Sequence, residues 1–445
     1  MSVPTGPVDL DLLPSTAAVG ADGRLSIGGC DLVELAGPHG TPLFVYDESH
    51  LRAACREAVA AWGDGVAYAT KAFLCVAMAK LAHEEGMCLD VSTGGELHVA
   101  LTAGVPADRL VLHGNNKSTG ELAAALSVGV GRIVVDSFDE IDRIELLVAD
   151  PPALEGGPED AEPPVRWRPR VLARITPGVE VHTHEFVRTG QEDSKFGFGL
   201  GSGAAARAVE RLAALDAAGV VEFVGIHAHL GSQVFALEPF AQAIDVLAGF
   251  FAPLGLPELV VGGGLGVAYV NGEQAPPMGE WAASVRTACA RAGIDDSVRV
   301  TAEPGRSIVA AAGVTLYRVG TVKDVPGHRT YVSVDGGMSD NPRPVLYGSG
   351  YEAFLPREAG AVRPAPIRLV GKHCETGDVV VADGFVPDDL AVGAVLCTPV
   401  TGAYGHAMAS NYNKVPRPAV VFVADGTART VVRRETVDDL VRLDT

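Results

Sequence analysis

The sequence predicts an α/β chain, a (β/α)8 barrel followed by a β domain, and three observations predict it. Between residues 65 and 305, short apolar runs alternate with stretches of helix composition. The runs do not alternate polar with apolar residues, which marks strands buried on both faces of a parallel sheet. Beyond residue 315 the pattern changes to strands separated by Gly and Asp turns, as in antiparallel hairpins.

The eight runs, in order, are GVAYAT (65–70), MCLDVS (87–92), RLVLHG (109–114), RIVVDS (132–137), RVLARI (170–175), VEFVGIHAHL (221–230), ELVVGGG (258–264) and VRVTAE (298–303). Helical segments such as 77–86, 206–219 and 281–293 separate them. Eight such units over roughly 240 residues suit a (β/α)8 barrel, here bounded at 45–314. An open doubly wound sheet has the same periodicity. Residues 150–169, rich in Pro, Gly and acid, read as a surface insertion before the fifth strand. Residues 315–445 form the C-terminal β domain, with strands expected in TLYRVGTVKDV, TYVSVDGG, DVVVADG, AVLCTPV and the hairpin AVVFV–ADGTA–RTVVRRE. Residues 1–44 are expected to join it, with LSIGGCDLVELA supplying a strand.

A chain of 445 residues, 47% hydrophobic and 20% charged, has an ordinary globular balance and length enough for two domains. Its net charge of −20, from 35 basic and 55 acidic residues, argues against nucleic acid or an anionic membrane as a main partner. Phosphate contacts need clustered Lys and Arg. No apolar run reaches membrane-spanning length. The opening MSVPTGPVDLDLLP lacks a basic stretch followed by an apolar core, so a secretory signal is not expected. Seven cysteines are scattered singly, without a CxxC pair, and read as reduced thiols of a cytoplasmic enzyme.

Barrels of this kind build their active sites at the C-terminal ends of the strands. Lys71, Asp90, His113, Arg174, His229, Gly262 to Gly264 and Glu303 all fall at or near such ends. Each has two readings. The apolar flanks of Lys71 in AYATKAF predict a desolvated amine with a lowered pKa, suited to Schiff-base chemistry, or a lysine snorkelling from a strand end. GGGLG (262–266) offers backbone N–H groups to an anion, or makes a plain turn. No GxxxxGK[ST] or GxGxxG accompanies it, so a nucleotide is not expected. In EPGR (303–306) a carboxylate can keep a pyridine nitrogen protonated, or can pair with its own arginine. HAHLGSQ (227–233) offers an imidazole to a flat ring and a hydroxyl to a phosphate, or holds a core histidine. CETGD (374–378) places a thiol beside a carboxylate as a proton donor, or buries a cysteine at a turn. HTH (182–184) and HAH (227–229) lack the acid-rich spacing of a zinc site, so no metal is expected.

Nine motifs then follow in order across residues 66–418: AYATKA, LDVSTGGEL, HGNNKS, RITPGVEVHTHEF…SKFGFGL, GIHAHLGSQ, GGGLG, EPGR, CETGD and GAYGHAMASNYNKVPRP. Together they resemble the diaminopimelate decarboxylases, within the fold-type III group that also holds ornithine and arginine decarboxylases. The resemblance implies a barrel that binds pyridoxal 5'-phosphate, a C-terminal β-sandwich-like domain and a homodimer with shared active sites. It implies decarboxylation of meso-2,6-diaminopimelate to L-lysine and CO2, the last step of lysine biosynthesis.

By the same resemblance, Lys71 holds the cofactor and Cys374 donates a proton across the dimer interface. His229 stacks on the cofactor ring, and Ser232 with Gly262, Gly263 and Gly264 cradles its phosphate, with Gly305 and Arg306 adjoining. Glu303 faces the pyridine nitrogen. Arg306, Arg343 (in NPRP) and Tyr347 anchor the substrate's distal carboxylate, Glu375 its distal amine, and Tyr404 contacts cofactor and substrate. Asp90, Glu96, His113, Asn115 and Arg174 resemble supporting positions. Ornithine and arginine lack the distal carboxylate, so fixed arginines favour diaminopimelate over them; another basic amino acid or a carboxylated polyamine such as carboxynorspermidine is the alternative. A non-catalytic relative would lack Lys71, Cys374 or the glycine cradle, and all are present. A racemase would need a second base opposite the lysine, in differently worded motifs.

Overall fold

A computed structural model of the chain describes residues 6–150, 168–178 and 193–445. Most of the insertion expected at 150–169, and the HTH at 182–184, lie outside the described residues. The chain divides into two compact units. A barrel unit comprises Cys55–Gly266 and Pro276–Gly305; a β unit comprises Met1–Ala54, Val267–Ala275 and Arg306–Thr445.

The barrel unit contains β1 (Ala67–Ala69), β2 (Cys88–Val91), β3 (Leu110–Leu112), β4 (Arg132–Val135), β5 (Arg170–Thr176), β6 (Glu222–His227), β7 (Glu258–Val260) and β8 (Arg299–Thr301). They pair in parallel and in chain order, with Phe198–Gly199 as an added strand beside β5. The Ala67 and Ala69 N–H groups donate to the Ala302 and Pro304 carbonyls, both at 3.1 Å, which joins β1 to the chain leaving β8. Strand order never reverses, so the open doubly wound alternative is excluded. Ala67, Cys88, Val111, Val134, Leu172, Val224 and Val260 form one buried cluster, a residue from each of β1 to β7. The interior is therefore packed, and chemistry is confined to the ends.

A helix follows each of the first seven strands: α1 (Val76–Glu84), α2 (Gly94–Thr102), α3 (Thr119–Val128), α4 (Phe138–Ala149), α5 (Ala204–Ala217), α6 (Glu238–Phe251) and α7 (Met278–Arg291). Three of them start at hydroxyl caps: Thr93, Ser118 and Ser137 accept the N–H of Glu96, Glu121 and Glu140. At α3 the Glu121 carboxylate also reaches back to the Ser118 N–H, completing a capping box. These caps sharpen the turns at the strand C-termini and so fix the loops that carry the unusual residues.

The other barrel face is held by charge. Arg132, Arg170, Glu222, Glu258 and Arg299 are the first residues of β4, β5, β6, β7 and β8. Glu258, 3% exposed, accepts from Arg132 Nε at 2.5 Å, from Arg170 Nη2 at 2.8 Å, and from Arg299. One carboxylate thus ties four strands at the N-terminal end of the barrel.

In the β unit the long strand Gly313–Val325 pairs antiparallel with Arg329–Val334, Val395–Thr398 and Leu43–Asp47. Ala419–Ala424 runs parallel to Leu43–Asp47 and turns into Thr427–Val432. Asp425 (φ 50) and Gly426 (φ 73) make the tight two-residue turn that ADG predicts. The N-terminal contribution differs from expectation. Leu25–Ile27 and Cys30–Asp31 form a small sheet of their own with Ala18–Val19, and the strand that enters the large sheet is Leu43–Asp47. All five residues of LFVYD are buried, as a central strand requires, whereas LSI alternates.

Replacing Glu258 by Ala leaves three guanidiniums at the barrel base without their shared partner. The expected loss is about 3–5 kcal/mol of unfolding free energy, measured by denaturant titration. A loss below about 0.5 kcal/mol, as at a neutral surface position, would contradict the clamp.

Candidate active site

On the barrel rim the best-defined feature is Glu303, two residues beyond β8 and 6% exposed. Its Oε1 lies 2.9 Å from His113 Nε2 and its Oε2 lies 2.9 Å from His227 Nε2. Burial alone would raise this carboxyl, but the two histidines beside it hold it well below the usual range. The carboxylate therefore pairs with histidines, and the reading of EPGR as a local loop ion pair falls away. Asp90, also buried, has its Oδ1 3.7 Å from the same His113 Nε2. Burial pushes the Asp90 carboxyl up to about 6, against the pull of His113 and with the push of Glu303. Burial pulls His113 down, but Asp90 and Glu303 outweigh it and raise it. The nitrogens of His113 and His227 and a Glu303 oxygen fall within 4.8 Å of one another, a composition that metals use. His227 Nε2 is hydrogen-bonded to Glu303 Oε2, and His113 Nε2 is in close contact with Oε1.

The glycine loop after β7 is built for close approach. Gly262 (φ +67) and Gly264 (φ +116) occupy left-handed backbone, and a Cβ on them would lie 2.6 Å from the Ala228 carbonyl and 2.4 Å from the Gly231 carbonyl. The neighbouring loop is zipped to it: Val234 N–H donates to the Gly264 carbonyl and Gly266 N–H to the Val234 carbonyl, both at 2.9 Å. This brings half-buried Ser232 to the glycines, next to Gln233 at φ 58, a strained conformation for a side-chain residue. Gly263 N–H donates to His229 Nδ1 at 3.2 Å, which fixes the ring of His229. Burial, then the charges of Lys71 and Arg174, push His229 well below its usual range, so its ring is neutral. Gly305 lets the chain leaving β8 pass Ala69, whose carbonyl would be 2.9 Å from a Cβ there.

Lys71 sits on the turn Thr70–Ala72 directly after β1. Thr70 and Ala72 are buried, but Lys71 itself is exposed, so the expected desolvation of its amine is corrected: the lysine points out of an apolar strand end. Arg174 is buried within β5, its guanidinium 4.3 Å over the Phe196 ring and 3.6 Å from Asp136. Half-buried Glu96 accepts the Ser92 N–H at 2.6 Å and braces the loop after β2. Asn115 is half-buried beyond His113.

The β unit gathers a second cluster. Arg306 Nη1 donates to the Tyr269 hydroxyl at 2.8 Å, and its guanidinium lies 4.8 Å from the centre of the Tyr404 ring. Arg343, 5% exposed, donates to the Tyr351 hydroxyl at 2.6 Å and stacks 4.3 Å over Tyr269. Among the described residues no carboxylate pairs with Arg343. Tyr404 is held at φ 60, again strained for a non-glycine. Tyr347 closes the short helix Arg343–Tyr347, and among the described residues no hydrogen bond or ring contact joins it to either arginine.

Cys374 and Glu375 are exposed on a turn that the buried Asp378 organises. Asp378 accepts the His373 N–H at 2.8 Å and the Met338 N–H at 2.6 Å. The Cys374 N–H donates to Asn413 Oδ1 at 3.1 Å, and the Glu375 carboxylate folds back to the Gly377 N–H. These two residues are thus held rigidly, but apart from the arginine cluster's bonds.

The sequence reading missed His227, Tyr269, Tyr351 and Lys117. His227 lay beside His229 in HAH and its period-2 spacing was the available signal. Lys117, 2% exposed, forms an ion pair with Glu140 Oε1 at 2.6 Å and donates to the Gly114 and Val134 carbonyls at 2.7 and 2.8 Å, pinning the loop after β3. Only the HGNNK wording hinted at it.

Comparison with known proteins gives a consistent result. Residues 48–310 match the family model described as "Pyridoxal-dependent decarboxylase, pyridoxal binding domain". The chain is 46% identical over 445 residues to a diaminopimelate decarboxylase of Mycobacterium tuberculosis, covering 95% of each chain. It is 43% identical to that of Bacillus subtilis, covering 97% of this chain and 98% of the other. A crystal structure of diaminopimelate decarboxylase from M. jannaschii in complex with L-lysine superposes with a TM-score of 0.86 at 30% identity, over 97% of this chain and 98% of that one.

Asp340, 1% exposed, accepts from the Tyr317 hydroxyl at 2.7 Å and the Gly337 N–H at 2.8 Å, and burial pushes its carboxyl up to about 7. The folded chain then binds a proton here that the unfolded chain, with the ordinary value of 3.8, releases. Folding stability from this group is complete below the unfolded value and falls as pH rises through the folded one. Asp340→Asn is expected to flatten the dependence of Tm on pH between about 4 and 7. An unchanged slope would contradict the assignment.

Proposed function

The chain belongs to the pyridoxal-dependent decarboxylases, and from that premise we propose that it converts meso-2,6-diaminopimelate to L-lysine and CO2, the closing reaction of lysine biosynthesis. The residues present fit pyridoxal 5'-phosphate. The glycines after β7 make a side-chain-free turn, packed where a Cβ would strike neighbouring carbonyls, of the kind whose backbone can approach a phosphate, and a buried, ionised Glu303 suits a protonated pyridine nitrogen. The exposed amine of Lys71 is the group that would hold the aldehyde carbon. When bound, the cofactor supplies an electron sink for the electrons left behind as CO2 departs.

The chain's own residues do the rest. Glu303 would keep the proton on the ring nitrogen. The neutral imidazole of His229, held by the Gly263 N–H, would face the ring without competing for that proton. Ser232 and the N–H groups of Gly262 and Gly264 would bind the phosphate, with Gly263 shaping the loop. Lys71 Nζ would hold the cofactor between turnovers. Cys374 Sγ delivers a proton to the carbon that lost CO2. Asp90, Glu96, His113, Asn115 and Arg174 brace these groups.

Substrate choice is carried by one observation: Arg343, a buried guanidinium with no carboxylate partner among the described residues. Arginine is almost never fully buried unpaired. The distal carboxylate of diaminopimelate, absent from ornithine, is the partner that completes it, with Arg306 as the second donor. Glu375 recognises the distal amine and Tyr404 contacts cofactor and substrate. No helix of the described residues is long and apolar enough to cross a membrane. We read the protein as a cytoplasmic homodimer, each subunit lending Cys374 and Glu375 to the partner's active site.

Arg343→Ala is expected to raise KM for diaminopimelate by about 10–100-fold, with a smaller effect on kcat, because the arginine binds a part of the substrate remote from the reacting carbon. Steady-state kinetics measure it. An unchanged KM would remove Arg343 from substrate recognition.

A further inference from the structure

A carboxylate inside a protein has no intrinsic reason to stay ionised or to keep one orientation. Glu303 is given both by its neighbours, because each of its oxygens has its own imidazole nitrogen at 2.9 Å. The rings of His113 and His227 meet edge to face, centroids 4.9 Å apart and planes at 69°, so neither swings without displacing the other. From this clamp we infer that His227 is a positioning residue for the decarboxylation: it donates Nε2–H to Glu303 Oε2 and so fixes the plane in which the carboxylate meets the cofactor nitrogen. The inference rests on the role of Glu303 given above.

The root of His227 is immobile. It is the last residue of β6, paired with Arg174 of β5 and Val260 of β7, and is 1% exposed. Its Nδ1 is buried and has no hydrogen-bond partner among the described residues. A proton there would bury both an unsatisfied N–H and a charge. The ring is therefore neutral with its single proton on Nε2, aimed at Glu303. Burial agrees, pushing His227 down to about 4 against the pull of Glu303. His113 is a different donor, since its Nε2 faces Asp90 as well as Glu303. Each carboxylate oxygen carries two lone pairs, so after accepting from its histidine each keeps one for a further donor. The hydrogen bond from His227 at one oxygen and the His113 ring against the other restrict rotation about the terminal Glu303 bond, and the remaining Oε2 lone pair keeps its direction. In HAHLGSQ the histidine two residues on is then the one against the cofactor, and His227 acts through Glu303 alone.

The test uses holoenzyme loaded with cofactor carrying 15N at the ring nitrogen, comparing wild type, His227→Ala, His227→Gln and Glu303→Gln at one pH. The glutamine amide nitrogen can reach the oxygen that Nε2 reaches. Wild type and His227→Gln are expected to show the pyridinium 15N shift. His227→Ala is expected to move toward the unprotonated value and to lose about 10–100-fold in kcat with KM little changed. In the cofactor-free wild type, the His227 ring 15N shifts are expected to place the proton on Nε2, which needs no variant to fold. A His227→Ala protein with the wild-type shift and kcat overturns the inference. So does a His227→Gln protein as impaired as His227→Ala, or a proton on Nδ1. If Glu303→Gln leaves the cofactor nitrogen protonated, the role of Glu303 itself fails; if Glu303→Gln responds and His227→Ala does not, only this inference does.

Discussion

An ionised carboxylate in a protein interior is unfavourable by itself, and the barrel rim is organised around making one acceptable. Glu303 stays charged because His113 and His227 each take one oxygen. Those histidines must come from β3 and β6, so the clamp exists only when the barrel is closed in the right register. The closure is supplied next door, where Ala69 bonds the carbonyl of Pro304, the residue after Glu303. The same turn places Lys71 beyond Ala69, so this lysine and the clamped carboxylate are set by one pair of adjacent chain segments.

The two faces of the barrel use charge for opposite ends. At the N-terminal face Glu258 gathers three arginines and the result is cohesion. At the C-terminal face the carboxylates of Asp90 and Glu303 share one histidine and are pushed apart in acidity, Asp90 upward and Glu303 downward. A pair of acids driven in opposite directions by burial and neighbours is characteristic of a site that must hold a proton at a chosen atom. In the β unit Arg306 lies against Tyr269 and Tyr404, and the rings of Tyr269 and Tyr351 hold Arg343 with no carboxylate beside it among the described residues, which suits Arg343 to an incoming carboxylate.

Much of this was legible in the sequence. Buried strands lack polar alternation, so the eight runs stood out and the rim residues followed from their C-terminal ends. The glycine loop was legible because only glycine fits where carbonyls of neighbouring strands would meet a Cβ, as at Gly264. Contacts between residues far apart in the chain were not. Nothing local tells that His227 bonds Glu303, 76 residues on, or that Tyr351 rather than Tyr347 meets Arg343. The exposure of Lys71 was misread for a related reason: apolar neighbours in sequence describe the strand beneath the lysine, not the space above it.

The most direct test of the account is CO2 release by the purified protein from meso-diaminopimelate and from ornithine under the same conditions, with Lys71→Ala as the inactive control. The account predicts a kcat/KM for diaminopimelate at least about a hundredfold above that for ornithine, because a substrate lacking the distal carboxylate leaves the buried Arg343 without its ionic partner. Equal or faster release from ornithine, or release by Lys71→Ala at the wild-type rate, would contradict it.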